Sequence, residues 1–397
     1  MLATGSASSP YMVIIQPTPF CNLDCKYCYL PHRSRREQID AEVLRQLFAQ
    51  TYRFYPSNSL INYVWHSGEP LAVPVGFYNT AFEIAEEENT VTQRRFQHSI
   101  QTNGTLLNQT WIELFKRNHV RIGLSIDGPE LIHDMNRVTK NHRGTFNLVM
   151  NGLKRLQDAD VGFSVICVLT DFALDYPEEM FEFFSSNRIF HIAFNIDEVE
   201  GANYTSSYQK RGADERYKNF MKIFLKLAIH SKHSFYIREF SRIFATIMEP
   251  STSDPICTTN LPFNILSFDH KGNYCTFSPE LIGTVSARFS NFVMGNILSK
   301  PLSEMADDAV FQAVHQEVKE GKEKCKSECR YWTFCGGGHP SNKYSEYGRF
   351  DVSETMHCRV HKQSLVEAVL EFLESELDPV FNPIFNGATH NTSEIEA

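Results

Sequence analysis

The stretch MVIIQPTPFCNLDCKYCYL, from Met12 to Leu30, joins a run of β-branched apolar residues to three closely spaced cysteines. The apolar run has the composition of a buried strand. Cys21, Cys25 and Cys28 follow it in the spacing CxxxCxxC. Because parallel α/β sheets bind their ligands beyond the carboxyl ends of the strands, we expect the chemistry of this protein in the loop that holds these cysteines.

Outward from this stretch, short apolar runs alternate with longer segments of helical period as far as residue 197. This is the pattern of repeated strand and helix units around a parallel sheet. Strands are predicted at 12–16, 61–66, 96–102, 121–126, 162–169 and 189–196, and helices at 41–53, 75–87, 109–117, 145–157 and 176–185. Six such units predict an α/β fold built on a partial (β/α)6 TIM-like barrel.

The pattern changes after residue 200. Helices are predicted at 213–231 and 235–248, and a cysteine-rich and glycine-rich stretch runs from Cys257 to Cys358. A last amphipathic helix is predicted at 363–377, before a polar tail at 386–397 that we expect to be disordered. The expected organisation is a barrel at 10–200, bridging helices at 201–255, a small cysteine-rich domain at 256–362, and a C-terminal helix and tail at 363–397.

Composition narrows the class of function. The chain has 397 residues, 42% hydrophobic and 21% charged, with a formal net charge of −9, which disfavours a broad nucleic-acid surface. It has no apolar run long enough to span a bilayer and no signal peptide, so we expect a cytoplasmic protein that binds neither nucleic acid nor membrane.

Ten cysteines in a reducing compartment then point to a metal or cluster rather than to disulfides. The short basic cluster at 32–36 is predicted to be a solvated surface, with a contact to an anion or a partner as the alternative.

The CxxxCxxC loop is the strongest chemical signal. A four-iron cluster normally takes four cysteines, so three thiolates leave one iron open to chelate a ligand. The alternative is a structural zinc site that lacks one ligand, although zinc prefers closed sets of four Cys and His side chains. The spacing therefore favours a [4Fe-4S] cluster with one open iron on Cys21, Cys25 and Cys28.

A CxxxCxxC loop after the first strand of a partial barrel resembles the radical S-adenosylmethionine superfamily. Segments that resemble further motifs of this family follow successive predicted strands: WHSGEP at 65–70, QTNGT at 101–105 and LSIDGP at 124–129. The resemblance implies S-adenosylmethionine as a cofactor and its reductive cleavage to a 5′-deoxyadenosyl radical, which takes a hydrogen atom from the substrate.

The resemblance also implies roles for single residues. Gly68 and Glu69 are expected to receive the methionine ammonium group. The segment from Ser125 to Asp127, together with Arg137, is expected to hold the methionine carboxylate and the ribose. Asn103 is a second candidate for the ribose hydroxyls, and Tyr27 is expected to flank the adenine.

The cysteine-rich region resembles the SPASM domain of peptide-modifying members of this superfamily. Its four thiolates suffice for one complete auxiliary [4Fe-4S] cluster, with a structural zinc knot as the alternative. The expected ligands are Cys325, Cys329, Cys335 and Cys358.

A second auxiliary cluster is expected to be incomplete. The resemblance implies that Cys257 and Cys275 begin it, but no cysteine follows Cys257 closely, and His339 stands where many members have cysteine. Either this cluster is absent or other residues, His339 among the candidates, complete it. Cys167 on the predicted fifth strand is expected to be a core thiol.

Two peptide chemistries suit this branch of the family. Anaerobic sulfatase maturases place an aspartate directly after the cysteine that matches Cys275, where this chain has Thr276. The segment 336–359 instead resembles maturases that form three-residue cyclophanes in Gly-rich precursors. We therefore expect a carbon–carbon crosslink between an aromatic ring and a nearby side-chain β-carbon, with sulfatase maturation as the alternative. Glu280 is the candidate base, by position alone.

The expected partners are a ribosomal precursor peptide and an electron donor such as flavodoxin or ferredoxin. Because Cys21 lies so near the first residue, we expect no N-terminal winged-helix module for the leader peptide. We expect the leader to be bound instead by the barrel, the cysteine-rich domain, the bridging helices or a separate protein. Lys218 and Lys222 in the bridging helices suit an acidic leader. A nonenzymatic iron–sulfur or zinc scaffold is the alternative of another class, but the ordered cofactor motifs favour an enzyme.

Overall fold

Six apolar segments of the first half of the chain form a parallel sheet, as their alternation with helical segments predicts. The computed structural model describes residues 10–376. Its first six strands are β1 (Tyr11–Ile15), β2 (Leu60–Trp65), β3 (Arg95–Thr102), β4 (Arg121–Ser125), β5 (Phe163–Leu169) and β6 (His191–Ile196). Each strand pairs in parallel with the next. The predicted α/β class is confirmed, while the tail predicted at 386–397 lies outside the described residues.

Helices connect these strands and contribute their apolar faces to the core. They are α1 (Ala41–Phe54), α2 (Val75–Asn89), α3 (Gln109–Arg117), α4 (Glu130–Asn136), α5 (Phe146–Asp158) and α6 (Pro177–Ser186). Asp40 caps α1 by accepting a hydrogen bond from the Val43 amide at 3.0 Å, and Asn108 caps α3 in the same way. The short helix α4 was not among the predicted helices, and it lies in the segment between Asp127 and Arg137.

The sheet continues beyond the six predicted strands at both edges. A short strand, β7 (Tyr236–Ile237), pairs with β6, and β8 (Ile265–Phe268) pairs in parallel with β1. β9 (Asn273–Thr276) and β10 (Gly295–Asn296) then add antiparallel pairs, so the sheet has ten strands in the order β10-β9-β8-β1-β2-β3-β4-β5-β6-β7. The start of the cysteine-rich region therefore shares one sheet with the barrel.

The second half of the chain adds mainly helices. They are α7 (Ala213–Ile229), α8 (Arg238–Met248), α9 (Ala309–Glu328), α10 (Trp332–Cys335), α11 (Pro340–Tyr347), α12 (Met356–Cys358) and α13 (Ser364–Glu376). The Tyr217 hydroxyl on α7 lies 2.7 Å from Nδ1 of His361, which ties α7 to the segment before α13. Within residues 10–376, no helix has the length and apolar character needed to cross a bilayer.

The seam between the barrel and the cysteine-rich region depends on a buried threonine. Thr276, at the end of β9, has no exposed surface. Its hydroxyl donates to the Ile265 carbonyl and accepts from the Phe263 amide, both at 2.8 Å. Both hydrogen-bonding functions of the side chain are thus used to close the β8–β9 hairpin beside β1.

Replacing this hydroxyl with a methyl group should weaken the seam. Thr276→Val keeps the shape of the side chain but leaves the Phe263 amide without its partner, and an unsatisfied buried group of this kind costs about 1–3 kcal/mol. Urea unfolding followed by circular dichroism should show that loss in Thr276→Val. Thr276→Ser, which keeps the hydroxyl, is the matched control, and an equal loss in both variants would contradict the role of the hydroxyl.

Candidate active site

The cysteine loop lies at the carboxyl edge of the sheet, directly after β1. The Cys28 amide donates to the Cys25 carbonyl at 3.3 Å, which forms a tight turn between two of the three thiols. Burial, and then the nearby charge of Glu69, raises the pKa of Cys21 to about 12. Burial likewise raises the pKa of Cys25 to about 11, against the lowering effect of Arg137. These two thiols therefore stay protonated until a metal cation binds the sulfur atoms and displaces the protons.

The donor set of this loop is one that an iron–sulfur cubane can use. The loop offers three cysteines, Cys21, Cys25 and Cys28. A zinc site needs four ligand atoms about 2.0–2.3 Å from one ion. A cubane takes one thiolate per iron, so its thiols need not converge on one point.

The loop after β2 packs directly onto the cysteine loop. Gly68 has a φ of +68°, and a Cβ at this position would lie 2.3 Å from the Thr18 carbonyl oxygen and 2.7 Å from that of Phe20. Only glycine tolerates both the backbone conformation and this approach. The next residue, Glu69, is 1% exposed and donates its amide to the Phe20 carbonyl at 2.7 Å. Because residue 68 is glycine, the backbone can pack closely against the cysteine loop, and Glu69 lies directly beside that loop.

The Glu69 carboxylate is held by three donors. Oε1 accepts from the Leu71 amide at 2.9 Å and from the Thr102 hydroxyl at 2.6 Å, and Oε2 accepts from the Asn103 amide at 2.8 Å. Burial raises the pKa of Glu69, and these hydrogen bonds oppose that rise. A carboxylate offers about four lone-pair sites, so one remains for a further donor.

Asn103 links the loop after β3 to the cysteine loop. Its side-chain amide donates to Asn22 Oδ1 at 2.9 Å and lies 3.9 Å from Cys21 Sγ. Its Oδ1 accepts from the Thr105 amide and hydroxyl. Ser125, at the end of β4, accepts a hydrogen bond from Gln101 at 3.0 Å. Both predicted residues thus lie at the same edge of the sheet as the cysteines.

Tyr27, Asp127 and Arg137 form a triad beside Cys25, in which Asp127 and Arg137 are buried and Tyr27 is half-buried. Asp127 has no exposed surface and pairs with Arg137 Nε at 3.0 Å. The Tyr27 hydroxyl donates to the same carboxylate, and the guanidinium lies 5.5 Å from the Tyr27 ring centroid. The other carboxylate oxygen accepts from the Val168 amide at 3.0 Å. Asp127, expected to bind ribose hydroxyls, thus has protein groups at both of its carboxylate oxygens, and its role toward ribose stays a prediction.

The four cysteines predicted for an auxiliary cluster line one small cavity. Cys325, Cys329, Cys335 and Cys358 surround it together with Trp332, Lys362 and Gln363. Several donors point at the sulfurs: the Gly338 amide at Cys335, Lys343 at Cys325 and Gln363 at Cys358, at 3.2, 3.5 and 3.5 Å. Hydrogen bonds to cluster sulfurs are a main way in which proteins set a cluster's potential. The arrangement fits one closed four-cysteine cluster.

The residues proposed for a second auxiliary cluster do not all line one cavity. Cys257 Sγ lies 3.2 Å from the Thr259 hydroxyl and 3.5 Å from the Gly338 carbonyl, and Cys257 lines a larger cavity with Cys335 and His339. Cys275 is fully buried on β9, and its thiol points at the Ser278 carbonyl. Cys257 and Cys275 therefore have separate surroundings. Cys167 lies in the apolar core on β5.

Glu280 lies within a cluster of three carboxylates. Asn342 joins Glu198 and Glu200 by donating to both, at 2.6 and 3.0 Å. Glu280 accepts from the Ser278 hydroxyl, and burial raises its pKa. The pKa of Glu200 is raised well above its ordinary value by burial and then by the charges of Glu198 and Glu280. We call Glu198, Glu200 and Glu280 the carboxylate cluster.

His357 lowers the pKa of one member of the carboxylate cluster. Burial alone would raise the pKa of Glu198, but His357, 3.3 Å away, and Asn342 outweigh it. Glu198 and Glu200 thus have pKa values pushed in opposite directions, which is the condition for one group to hold a proton while its neighbour is ionised.

The carboxylate cluster adjoins the cysteine loop. The Ala202 amide donates to the Tyr29 carbonyl at 2.7 Å, and a Cβ on Gly201 would lie 2.4 Å from that oxygen. Tyr29 directly follows Cys28, and burial, followed by the charges of Glu280 and Glu200, raises the pKa of its phenol. The path of contacts from Glu200 to Cys28 therefore runs through Gly201 and Tyr29.

The sequence interpretation missed Glu198, Glu200, Asn342 and His357. The signal for the two glutamates was present, because DEVE at 197–200 directly follows β6, at the edge where chemistry was expected. The signal for Asn342 and His357 was not, since the fold brings them there from the cysteine-rich region.

Comparison with known proteins agrees with this geometry. Residues 15–184 match the family model described as the Radical SAM superfamily. An uncharacterized protein of Synechocystis sp., sll1766, is 39% identical over 371 residues, which are 92% of each chain. A serine-type anaerobic sulfatase-maturating enzyme of Bacteroides thetaiotaomicron is 26% identical over 394 residues, covering 93% of this chain and 92% of the enzyme.

Two solved structures share the fold. The structure of anSMEcpe with bound AdoMet and Cp18Cys peptide aligns with a TM-score of 0.75 at 22% identity, over 96% of this chain and 99% of that one. Streptococcus suis SuiB bound to precursor peptide SuiA aligns with a TM-score of 0.59 at 16% identity, over 88% and 76%. At these identities the likeness concerns the fold alone.

Adding a methyl group at Gly68 should disturb the site. In Gly68→Ala the new Cβ meets two backbone oxygens, which cannot move without shifting the cysteine loop, and the backbone would be strained at its positive φ. We expect a clear fall in melting temperature, measured by differential scanning fluorimetry. Gly76→Ala, where nothing lies within 4 Å of the new Cβ, is the control and should melt like the wild type. Equal melting temperatures in the two variants would contradict the described packing.

Proposed function

Because the chain belongs to the radical SAM superfamily, we propose that it is a maturase that crosslinks a ribosomally made peptide. The proposed bond joins an aromatic ring to the β-carbon of a nearby side chain, which makes a cyclophane. A peptide substrate is supported by the two structural neighbours, both of which hold peptides. It is also supported by the carboxylate cluster, which places ionisable groups beside the cysteine loop.

We assign the iron–sulfur ligands by the fit of the two cysteine sets. Cys21, Cys25 and Cys28 would hold a cluster with one open iron, and Cys325, Cys329, Cys335 and Cys358 would hold a closed auxiliary cluster. When bound, the first cluster and S-adenosylmethionine would supply the 5′-deoxyadenosyl radical, and the auxiliary cluster would supply an acceptor for one electron.

The residues around the cysteine loop bind and orient the cofactor. Glu69 has one lone-pair site left for the methionine ammonium, and Arg137 provides the counter-charge for the carboxylate. Asn103 serves the ribose and Tyr27 the adenine. Asp127 acts through its neighbours, because its buried carboxylate fixes both Arg137 and Tyr27.

Thr276 is the observation that favours crosslinking over sulfatase maturation. In the sulfatase maturases, which this chain resembles, the matching position carries an aspartate that acts as a base. Here the threonine hydroxyl is consumed by two backbone hydrogen bonds and has no exposed surface. A base must therefore come from another residue, and the carboxylate cluster provides one.

Crosslinking leaves a proton for this chain to remove. The β-carbon loses one hydrogen atom, its radical adds to the ring, and the ring then regains aromaticity by losing one electron and one proton. Glu280 is the proposed acceptor of that proton, with Glu200 and Glu198 beside it. Burial raises the pKa of Glu280, which suits a carboxylate that must take up a proton near neutral pH.

Sulfatase maturation is the second candidate function. The similarity to the Bacteroides thetaiotaomicron enzyme extends over nearly the whole chain and favours it. The two candidates share the cofactor site and differ in the peptide and in the fate of the β-carbon radical.

Mass spectrometry of a coexpressed peptide tests the proposal. A Gly-rich precursor encoded beside the gene should lose two hydrogens per modified motif, and fragmentation should fail between the aromatic residue and its crosslinked neighbour. Coexpression with Cys21→Ala should leave the peptide unmodified. An unchanged precursor, together with conversion of a sulfatase Cys or Ser peptide to an aldehyde, would contradict crosslinking in favour of sulfatase maturation.

The base is tested separately. Glu280→Gln should lower the rate of crosslinking by about 100-fold or more, the usual share of a general base, while 5′-deoxyadenosine still forms. In the wild type, crosslinking should fail as pH drops through the raised pKa of Glu280, above the pH at which an exposed glutamate protonates. Glu304→Gln, at an exposed position, is the control. Equal crosslinking rates in the two variants would remove Glu280 from the mechanism.

A further inference from the structure

Basic side chains are concentrated around the cysteine loop, and the proposed chemistry does not use them. Segments 24–36 and 138–143 together contain six Lys and Arg residues and one acidic residue, in a chain of net charge −9. We call these six residues the basic rim: Lys26, Arg33, Arg35, Arg36, Lys140 and Arg143. All are exposed except Arg33, which is half-buried.

The structure joins the two segments into one surface. The Arg36 guanidinium lies 4.4 Å and the Lys140 ammonium 4.5 Å from the centroid of the Phe20 ring. The Lys140 ammonium also donates to the Arg33 carbonyl at 3.1 Å. A β-bridge between Leu23 and Thr139 holds the backbones together. The rim is therefore a fixed patch of positive charge.

This patch lies against the backbone of the cysteine ligands. Arg33 donates to the Cys25 carbonyl at 3.3 Å, and the Cys21 amide donates to the Arg33 carbonyl at 3.0 Å. Arg33 also pairs with Asp24 at 2.9 Å, which neutralises the one acidic residue of the two segments. A protein docked on the rim would therefore lie next to the cysteine loop.

The two lysines that we expected to suit an acidic leader differ, because a carboxylate neutralises them. Lys218 and Lys222 on α7 both pair with Glu371 at 3.1 Å. Within residues 10–376, no carboxylate pairs with Arg35, Arg36 or Arg143 at the rim. Its charge is therefore available to a partner.

We propose that the basic rim is the docking surface for an acidic protein that carries one electron. This rests on the proposed function, because a radical SAM site needs an external electron for each cleavage. Opposite charges steer such a carrier to the rim and orient it there, and complexes for electron transfer are typically small and weak. The rim thus meets the two needs of this partner, charge complementarity and closeness to the cysteine loop.

Direct binding is the first test. The variant expected to bind the electron carrier more weakly is Arg35→Glu/Arg143→Glu, which reverses two exposed charges outside the cofactor site. The control is Arg53→Glu/Arg95→Glu, with the same change of net charge at exposed positions near the amino ends of β2 and β3. In an NMR titration of labelled flavodoxin at low salt, the rim variant should bind about tenfold more weakly than the wild type, and the control should bind within about twofold of it. Equal weakening in both variants would show a net-charge effect and overturn the proposal.

Turnover with two reductants is the second test. With reduced flavodoxin, formation of 5′-deoxyadenosine should slow about tenfold in the rim variant and less so as salt is raised. With dithionite, which needs no docking, the wild type, rim variant and control should turn over alike. A rim variant that is impaired with dithionite through a raised KM for the precursor peptide would assign the surface to the peptide and overturn the proposal. If the wild type forms no 5′-deoxyadenosine with dithionite, that result counts against the proposed function itself. The NMR titration still tests docking, because it needs no turnover.

Discussion

The Asp127 carboxylate, which has no exposed surface, holds the Arg137 guanidinium at 3.0 Å and accepts hydrogen bonds from Tyr27 and from the Val168 amide. Removing one partner of such a buried pair typically costs about 3–5 kcal/mol, because the other charge is left uncompensated. The pair joins the end of β4, the residue after α4, the cysteine loop and β5. Since Tyr27 stands between Cys25 and Cys28, the position of the predicted ligands depends on this one ion pair.

The second constraint is the continuity of the sheet. β8 pairs with β1, so the cysteine-rich region is held in register with the strand that leads into the cysteine loop. That pairing brings Glu280 of one region close enough to Glu200 of the other for its charge to raise the pKa of Glu200, and Asn342 bridges Glu198 and Glu200. Three carboxylates in one half-buried space cannot all ionise freely, so their pKa values separate. A carboxylate that accepts a proton more readily than an exposed glutamate is the consequence.

The sequence predicted the class of fold and the first-half strands within two residues, because apolar period and β-branched composition are local signals. It also located Gly68, Glu69, Asn103 and Asp127 at one edge, since each follows a strand. It could not predict that Asp127 would be enclosed by Tyr27, Arg137 and Val168, or that β8 would extend the barrel sheet. Those features depend on contacts between residues far apart in the chain. For the same reason the link from His357 to Glu198 was not foreseen, and Glu280 was chosen by position alone.

Formation of 5′-deoxyadenosine decides whether the cysteine loop makes a radical from S-adenosylmethionine. Protein reconstituted with iron and sulfide, given a strong chemical reductant and S-adenosylmethionine without oxygen, should form 5′-deoxyadenosine and methionine in equal amounts. Cys25→Ala should abolish both products, and Cys167→Ala, which changes a core thiol on β5, should retain them. The account would be contradicted by a wild-type protein that binds its iron and yet forms no 5′-deoxyadenosine, or by a Cys25→Ala variant that forms as much as the wild type.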